Sequence, residues 1–340
     1  ALMESFVELI AQAIDDKSPY TAGHCERVPE LGIWLADAAS DSKNEAFSEF
    51  SFKTSDERRE FRLAAWLHDC GKITTPEHIV DKGTKLETIY NRIHEVRTRF
   101  EVLLRDAKIT YYEQLLAHPE QQSVLKQTLD QRTKKLHADF SFIAACNVGG
   151  EFMDEAQLSR LHEVASIKWQ RHFDASLGLS PLEEMRMADL KNQHLPVEES
   201  LLSDKLSDLI PHEKAVEYPE SLGINMAIPE YKYNLGEVYN LSVARGTLTA
   251  EDRFKINEHV ISTIRMLGSV PFPKELAKVP RYASTHHETL KGTGYPRKLT
   301  AEQLSIPERV LVLADIFEAL TAADRPYKKA KPLSVAIDIL

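Results

Sequence analysis

Residues 66–76, "WLHDCGKITTP", place a histidine and an aspartate side by side at the end of an apolar run. Apolar residues recur three and four positions apart in the preceding "FRLAAWLH", which predicts a helix that ends with His68 and Asp69. Gly71 stands where this helix should stop. An aspartate can bridge two cations, whereas a neighbouring histidine, pointing about 100° away, serves only one. The stretch indicates a metal site; the alternative is a histidine stabilised by the helix dipole.

Most of the chain has the same helical period. Residues 3–14, "LETIYNRIHEVRTRFEVLLRDA" and "EDRFKINEHVISTIRML" repeat the spacing, and few runs alternate at period two. We therefore expect an all-α protein. Its 340 residues, 43% of them hydrophobic, are typical of a globular chain. The formal net charge of −10 argues against charge-driven binding to a nucleic acid polymer.

Cysteine usage and apolar runs indicate the compartment. Cys25, Cys70 and Cys146 show no CxxC spacing, so neither a disulfide framework nor a zinc knuckle is expected. The run "VLVLADIFEALTAA" from Val310 is interrupted by acids well short of the ~20 residues that span a bilayer. The N-terminal stretch lacks the features of a signal peptide. We expect a cytoplasmic location, without membrane contact in this stretch.

Two further motifs carry groups that suit metal binding. His24 and Arg27 in "TAGHCERV" lie one helical turn apart and share a face. By itself a lone histidine is more often a surface or core residue than a ligand. Asp315 lies within an otherwise apolar helix, where an unpaired carboxylate would be costly. This carboxylate needs a cation or a strong hydrogen-bond donor.

The segment "STHHETLKGTGYP", which starts at Ser284, repeats the pattern. His286 and His287 are adjacent, so on a helix their side chains diverge and suit two different metals. Gly292 and Gly294 follow in a loop, where backbone can approach a ligand closely. A structural role for HHE alone is a reasonable alternative. HHE together with GxGYP favours a functional site.

Five segments, in order, resemble the HD-GYP family of metal-dependent phosphohydrolases. They are "YTAGHCERV", "AAWLHDCGKI", "GTLTAEDRFKINEH", "HHETLKGTGYP" and "ADIFEALTAADRPYKKA". The resemblance implies an HD-superfamily helical bundle. By matching position, it implies metal ligands at His24, His68, Asp69, His259, His286, His287 and Asp315. It implies substrate contacts at Lys72, Gly292, Gly294, Tyr295, Arg325 and Lys328, with Lys72, Arg325 and Lys328 on the phosphates.

The family cleaves cyclic dinucleotides, so the resemblance implies a phosphodiesterase. The substrate would be cyclic di-GMP or 3′3′-cyclic GMP-AMP, and the product a linear dinucleotide or, after further hydrolysis, mononucleotides. Asp69 and Lys72 would be catalytic, and a hydroxide held between two divalent transition-metal ions (Fe, Mn, Zn or Ni) would attack phosphorus. Two alternatives stay open: another HD-superfamily phosphohydrolase, and a non-catalytic sensor or scaffold that binds the dinucleotide.

The chain departs from the family pattern at several positions. Some members bind a third metal with a glutamate four residues before the first histidine, but Tyr20 stands there, so two metals are expected. Neither Leu290 nor Lys291 is acidic, although the family usually has an acidic or amide residue there. His94 rivals His259 as a ligand because it lies at the expected distance from Asp69. His259 matches better, because "LT" precedes it at the usual distance.

The motifs also predict the domain organisation. Residues 1–83 and 225–340 would form the HD-GYP core, and residues 84–224 a mainly helical insertion that packs on the core and could gate the site. We expect the core to be the C-terminal output part of a longer regulator. The apolar stripe of the first helix could support a homodimer.

Overall fold

Helices account for most of the protein. The computed structural model describes residues 2–17, 23–150, 152–188, 193–322 and 330–340. Within these residues there are thirteen α-helices and only four short strands, which confirms the predicted all-α class. The helices are α1 (Leu2–Asp15), α2 (His24–Ser40), α3 (Ser55–Leu67), α4 (Glu77–Val80), α5 (Ile93–Ala117), α6 (Gln122–Val148), α7 (Glu155–Ala165), α8 (Pro181–Arg186), α9 (Glu237–Leu241), α10 (Ala250–Gly268), α11 (Val279–Ala283), α12 (Ile306–Thr321) and α13 (Leu333–Ile339).

The strands form two small antiparallel pairs. They are β1 (Lys168–Arg171), β2 (Val197–Ser200), β3 (Leu209–Pro211) and β4 (Tyr231–Asn234). Strand β1 pairs with β2, and β3 pairs with β4.

The chain divides into two compact units. The first comprises Ala1–Asp81, Ala215–Ile228 and Arg253–Leu340, and the second comprises Lys82–Lys214 and Pro229–Asp252. Residues 229–252, which the sequence assigns to the core, thus group with most of the predicted insertion, whereas 215–224 group with the first unit. The assignment of a catalytic core and an inserted domain stays a prediction.

The core of the first unit brings α2, α3 and α12 together. Helix α12 packs against α2, and α2 packs against α3. Phe61 on α3 and Ala314 on α12 are fully buried. Gly32 on α2 makes room for the Phe61 ring, because a Cβ there would lie 3.2 Å from a ring carbon. Pro307 lies in the first turn of α12, where its missing amide N–H costs no helical hydrogen bond. The packing of α12 against α2 places the helices that carry Asp315 and His24 next to each other.

The second unit is built on a long helical hairpin. Helices α5 and α6 have 25 and 27 residues and pack against each other. The buried face of α5 carries Ile93, Val96, Phe100 and Leu103, which is the apolar stripe that the sequence predicts. The guanidinium of Arg99 on α5 donates hydrogen bonds to Glu237, which is buried at the start of α9.

Three observations bear on the predictions about membrane contact, cysteine chemistry and assembly. Among the described residues, no helix combines the length and the apolar character that a membrane crossing needs. Cys25, Cys70 and Cys146 are buried free thiols. The outer face of α1 exposes Phe6, Leu9 and Ile10, with exposed fractions of 58%, 60% and 39%. A homodimer through this helix stays a prediction.

Candidate metal centre

Seven side chains that the sequence predicts as metal ligands lie together in the first unit. They come from five parts of the fold: His24 begins α2, His68 and Asp69 follow α3, His259 lies on α10, His286 and His287 follow α11, and Asp315 lies on α12. Six of them are buried, and His287 is partly exposed. Residues that are nearly 300 positions apart in sequence thus meet in one polar cluster.

Asp69 lies at the centre of this cluster. Its Oδ2 atom is 3.5 Å from Nε2 of His24 and 3.3 Å from Nε2 of His68. Its Oδ1 atom is 3.4 Å from Nε2 of His259 and 3.7 Å from Nε2 of His286. The two carboxylate oxygens therefore face two different pairs of imidazoles. A carboxylate that bridges two cations needs this arrangement.

The other candidate ligands complete two groups around Asp69. Oδ1 of Asp315 lies 3.3 Å from Nε2 of His24 and 3.8 Å from Nε2 of His68. Within the described part of the chain, candidate ligand atoms lie within 4.8 Å of one another in three triads: His24–His68–Asp315, His259–His286–His287 and His68–Asp69–His286. The first triad combines imidazole with carboxylate, the second contains three imidazoles, and the third connects them through Asp69.

The orientation of the imidazoles fits divalent cations. In three of them Nδ1 donates to the backbone carbonyl three residues earlier: His68 to Ala65 (2.7 Å), His259 to Ile256 (2.6 Å) and His286 to Ala283 (2.9 Å). This bond fixes the tautomer and turns the Nε2 lone pair towards the cluster. Nε2 of His68 and Oδ1 of Asp69 are buried without a hydrogen-bond partner. A cation would satisfy both atoms, which otherwise are costly to bury.

The carboxylates of the cluster are held in the charged state. Burial alone would raise the pKa of Asp69, but Lys72 and His68 outweigh it and hold this pKa well below its usual value. Nζ of Lys72 lies 2.5 Å from Oδ2 of Asp69. Burial also opposes ionisation of Asp315, yet the bond from His24 and the nearby imidazoles lower the pKa of Asp315. Both aspartates can therefore offer charged oxygens to a cation.

The histidines after α11 are held neutral. Burial, reinforced by the neighbouring His259, lowers the pKa of His287 to about 3. Burial and the adjacent His287 and His68 lower the pKa of His286 well below its usual value. A neutral imidazole has the free lone pair that metal binding requires. These residues lie in the turn after α11 rather than on a helix as the sequence predicts, because α11 ends at Ala283.

Glu318 joins the site although the sequence analysis does not single it out. Its Oε2 atom makes a short hydrogen bond with Nδ1 of His24, and its Oε1 atom accepts one from Nε of Arg27 at 2.7 Å. The signal was available, since Glu318 lies one turn after Asp315 on α12 and shares its face. A charged carboxylate is a stronger hydrogen-bond acceptor than the backbone carbonyls that His68, His259 and His286 use. The Glu318 carboxylate therefore makes His24 a more basic candidate ligand than these three histidines.

Glu318→Gln is expected to weaken the binding of a divalent cation by about tenfold to a hundredfold, because a neutral partner no longer supports His24. Titration of the protein with Mn²⁺, followed by the electron paramagnetic resonance of the free ion, measures the affinity. Glu237→Gln is the matched control, since it replaces another buried glutamate that pairs with an arginine. An unchanged Mn²⁺ affinity in Glu318→Gln would contradict the expectation.

The turn after α3 depends on a glycine for a reason that the sequence did not reveal. Helix α3 ends at Leu67, so the prediction that it continues to Asp69 is corrected. Gly71 lies in a 3₁₀ turn, Cys70–Thr74, where a Cβ would come within 1.8 Å of the carbonyl oxygen of His259 on α10. Thr263 on the same helix accepts a hydrogen bond from the Gly71 amide at 3.0 Å. Close approach of the two backbones, rather than helix termination, requires the glycine.

The GYP segment also needs backbone close to backbone. Gly292 has a φ of +70°, and a Cβ at Gly294 would lie 2.5 Å from the carbonyl oxygen of His287. The Tyr295 ring stacks on the His287 ring, with 4.7 Å between centroids and 27° between planes. Substrate-contact roles for Gly292, Gly294 and Tyr295 stay predictions, but the loop lies against a candidate ligand.

Glu288, the third residue of HHE, has a structural role. It is buried, and its carboxylate accepts hydrogen bonds from the amides of Arg297 at 2.7 Å and Leu299 at 2.8 Å. The Arg297 side chain then donates to the carbonyl of Leu222 at 3.0 Å. Glu288 and Leu222 thus hold the segment that directly follows Tyr295 in sequence.

The remaining predicted site residues lie elsewhere or outside the described chain. Arg325, Lys328 and Tyr20 fall outside the described residues. His94 lies exposed on α5 in the second unit, with its Nδ1 atom 2.7 Å from a guanidinium nitrogen of Arg97. His259 belongs to the cluster around Asp69, so the geometry favours it over His94.

Known proteins resemble parts of this chain. A family model described as an HD domain matches residues 184–340. The 3′3′-cGAMP-specific phosphodiesterase 3 of Vibrio cholerae is 38% identical over 95 residues, which are 28% of this chain and 20% of the relative. The 3′3′-cGAMP-specific phosphodiesterase 1 of Vibrio cholerae is 29% identical over 147 residues, which are 41% of this chain and 32% of the relative.

A relative from a second organism carries a different substrate in its name. The cyclic di-GMP phosphodiesterase of Thermotoga maritima is 36% identical over 91 residues, which are 27% of this chain and 24% of the relative. The chain covers about a third or less of the length of these relatives. Residues 184–340 are therefore similar to an HD domain, and the resemblance of the chain to the HD-GYP phosphodiesterases, inferred from its motifs, is confirmed.

Proposed function

We propose that this protein is a metal-dependent phosphodiesterase that hydrolyses a cyclic dinucleotide to the linear dinucleotide, and in a further step to mononucleotides. The observation that carries the proposal is the position of Asp69, whose two oxygens face two separate groups of candidate ligands while Lys72 contacts Oδ2. The names of the relatives support cyclic di-GMP and 3′3′-cyclic GMP-AMP as the candidate substrates.

The candidate ligands suit two divalent transition-metal ions. His24, His68 and Asp315 would hold one ion, His259, His286 and His287 the other, and Asp69 would contact both. Mixed imidazole and carboxylate ligands accept iron, manganese, zinc or nickel. A third ion is not part of the proposal, because Tyr20 stands where its glutamate would be. When bound, such ions supply Lewis acidity and lower the pKa of a water molecule, which provides the nucleophile.

The chain's own residues would orient the substrate and balance charge. The Lys72 ammonium would stabilise the negative charge that develops on the non-bridging phosphate oxygens as the 3′ oxygen leaves. Tyr295, stacked on His287, would form a wall of the site, and Gly292 and Gly294 would let the backbone approach the substrate. Arg325 and Lys328 would add phosphate contacts. We place this activity in the cytoplasm, because its reducing environment keeps thiols such as Cys25, Cys70 and Cys146 free.

Product analysis by chromatography tests the function. The protein, loaded with Mn²⁺ or anaerobically with Fe²⁺, is incubated with cyclic di-GMP and with 3′3′-cyclic GMP-AMP in separate reactions. We expect linear dinucleotide from at least one substrate, and no product in a matched reaction with a chelator. Intact dinucleotides in every reaction, with two ions bound to the protein, would overturn the proposal. Tight binding of the intact dinucleotide would then favour the sensor or scaffold, and hydrolysis of phosphomonoesters alone would favour another HD-superfamily phosphohydrolase.

A further inference from the structure

The end of the first helix contacts the turn that carries Lys72. Just beyond α1, the Nζ atom of Lys17 donates hydrogen bonds to three backbone carbonyls: Lys72 at 2.9 Å, Ile73 at 2.7 Å and Thr75 at 2.6 Å. An ammonium has three N–H groups, so these bonds use its full donor capacity. Within the turn the Lys72 carbonyl also accepts a hydrogen bond from the Thr75 amide at 3.0 Å, so Lys17 adds a second donor there. One side chain thus binds two carbonyls of the turn and the carbonyl of the residue that follows it.

The same end of α1 also contacts the start of α2. Asp15 is buried, and its carboxylate accepts hydrogen bonds from the amides of Gly23 at 3.0 Å and Cys25 at 3.5 Å. These two residues flank His24 in sequence. Gly23 has a φ of +77°, which a residue with a side chain rarely adopts, so the chain enters α2 through a restricted conformation. Asp15 holds that entry in place.

We propose that Lys17 and Asp15 are positioning residues, which hold the Lys72 turn and the His24 end of α2 in the geometry of the metal centre. Within the turn, the Lys72 amide donates to the carbonyl of Asp69 at 2.9 Å, and the Lys72 side chain returns to the Asp69 carboxylate. A rotation of this turn would therefore move the ammonium and the central carboxylate together. The part of Lys72 in turnover rests on the proposed function, whereas the placement of the turn does not.

Neither residue is marked by a motif. Lys17 and Lys72 are separated by 55 positions, and residue type alone gives no sign that a lysine beyond an amphipathic helix serves backbone carbonyls. Asp15 ends α1 and Lys17 lies just beyond it, so the Lys72 turn and the start of α2 are held by the same end of one helix. Because a shift of about 1 Å at a reacting group can cost roughly a hundredfold in rate, a modest loosening of this support should be measurable.

Lys17→Met tests the proposal, because methionine keeps an unbranched side chain and removes all three donors. We expect faster hydrogen exchange of the Lys72 and Thr75 amides, both of which are bonded within the turn. With cyclic dinucleotide we expect kcat/KM to fall about tenfold, while the number of bound ions stays unchanged. Lys43→Met, at an exposed lysine of the same unit, is the control. Asp15→Ala should instead weaken Mn²⁺ binding, because it frees the His24 end of α2.

Lys17→Arg separates positioning from bulk packing, since arginine keeps charged N–H donors. Recovery of slow exchange in Lys17→Arg would support the proposal. Exchange in Lys17→Met that equals that of the parent protein would overturn it, and so would a Lys17→Arg variant as perturbed as Lys17→Met. If Lys17→Met fails to fold, Lys17→Gln takes its place in this comparison, because glutamine keeps fewer N–H donors than lysine and no charge. If the parent protein cleaves no dinucleotide, the proposed function fails, but the exchange and Mn²⁺ measurements still test the placement.

Discussion

Asp69→Ala is expected to abolish hydrolysis of the cyclic dinucleotide, with a fall in turnover of at least about a thousandfold, and to prevent binding of two ions at once. The reason is geometric. Asp69 is the candidate ligand whose two oxygens face both groups, one at 3.3 Å from His68 and the other at 3.4 Å from His259. Its removal also leaves the Lys72 ammonium and several imidazoles facing one another without this negative charge.

Elemental analysis of the purified variant gives the number of bound ions, and chromatography of the reaction gives turnover. Asp139→Ala is the matched control, because Asp139 is also buried and pairs with a lysine, Lys135, at 3.3 Å, but lies on α6 in the second unit. The control should keep both ions and full turnover. An Asp69→Ala protein that still binds two ions and still produces linear dinucleotide would exclude Asp69 as the bridging ligand.

The long helices could be predicted from the sequence because burial of one face imposes a period that is visible locally. Ile93, Val96 and Phe100 show this on α5. The short strands give no such signal, since β1 reads KWQR and β2 reads VEES, without alternation of apolar and polar residues. The end of α3 was also misplaced, by two residues. There the contact between Gly71 and α10 decides the backbone path, and that contact is tertiary.

The residues of the candidate site also fall into some that the sequence predicts and some that it does not. Candidate ligands such as His68 and Asp315 could be found because each lies in a short motif or in an apolar context that an unpaired polar group would destabilise. The residues that orient them were missed. Glu318 contacts His24 across 294 positions, and Thr263 contacts Gly71 across 192. Glu318 shares a helix face with Asp315, but only the folded chain shows that it contacts His24, and the surroundings of Thr263 in the sequence give no sign of its contact with Gly71.

Lys72→Met is expected to differ from Asp69→Ala in one informative respect: it should keep both ions while turnover falls by about a hundredfold to a thousandfold. Lys72 is not a candidate metal ligand, and its ammonium lies 2.5 Å from Oδ2 of Asp69. Its positive charge would act mainly when negative charge grows on the phosphate. The loss should therefore be larger in kcat than in KM.

Lys255→Met is a closely matched control for Lys72→Met. Lys255 lies in the same unit and pairs with Glu258 three residues later at 2.8 Å, as Lys72 pairs with Asp69 three residues earlier. Both variants are compared by elemental analysis and by steady-state kinetics. Parent-like turnover in Lys72→Met would exclude a role for Lys72 in stabilising charge on the phosphate. Loss of an ion in Lys72→Met would show instead that Lys72 acts by holding Asp69, in which case the positive charge that stabilises the non-bridging phosphate oxygens must come from the ions or from another cation of the chain.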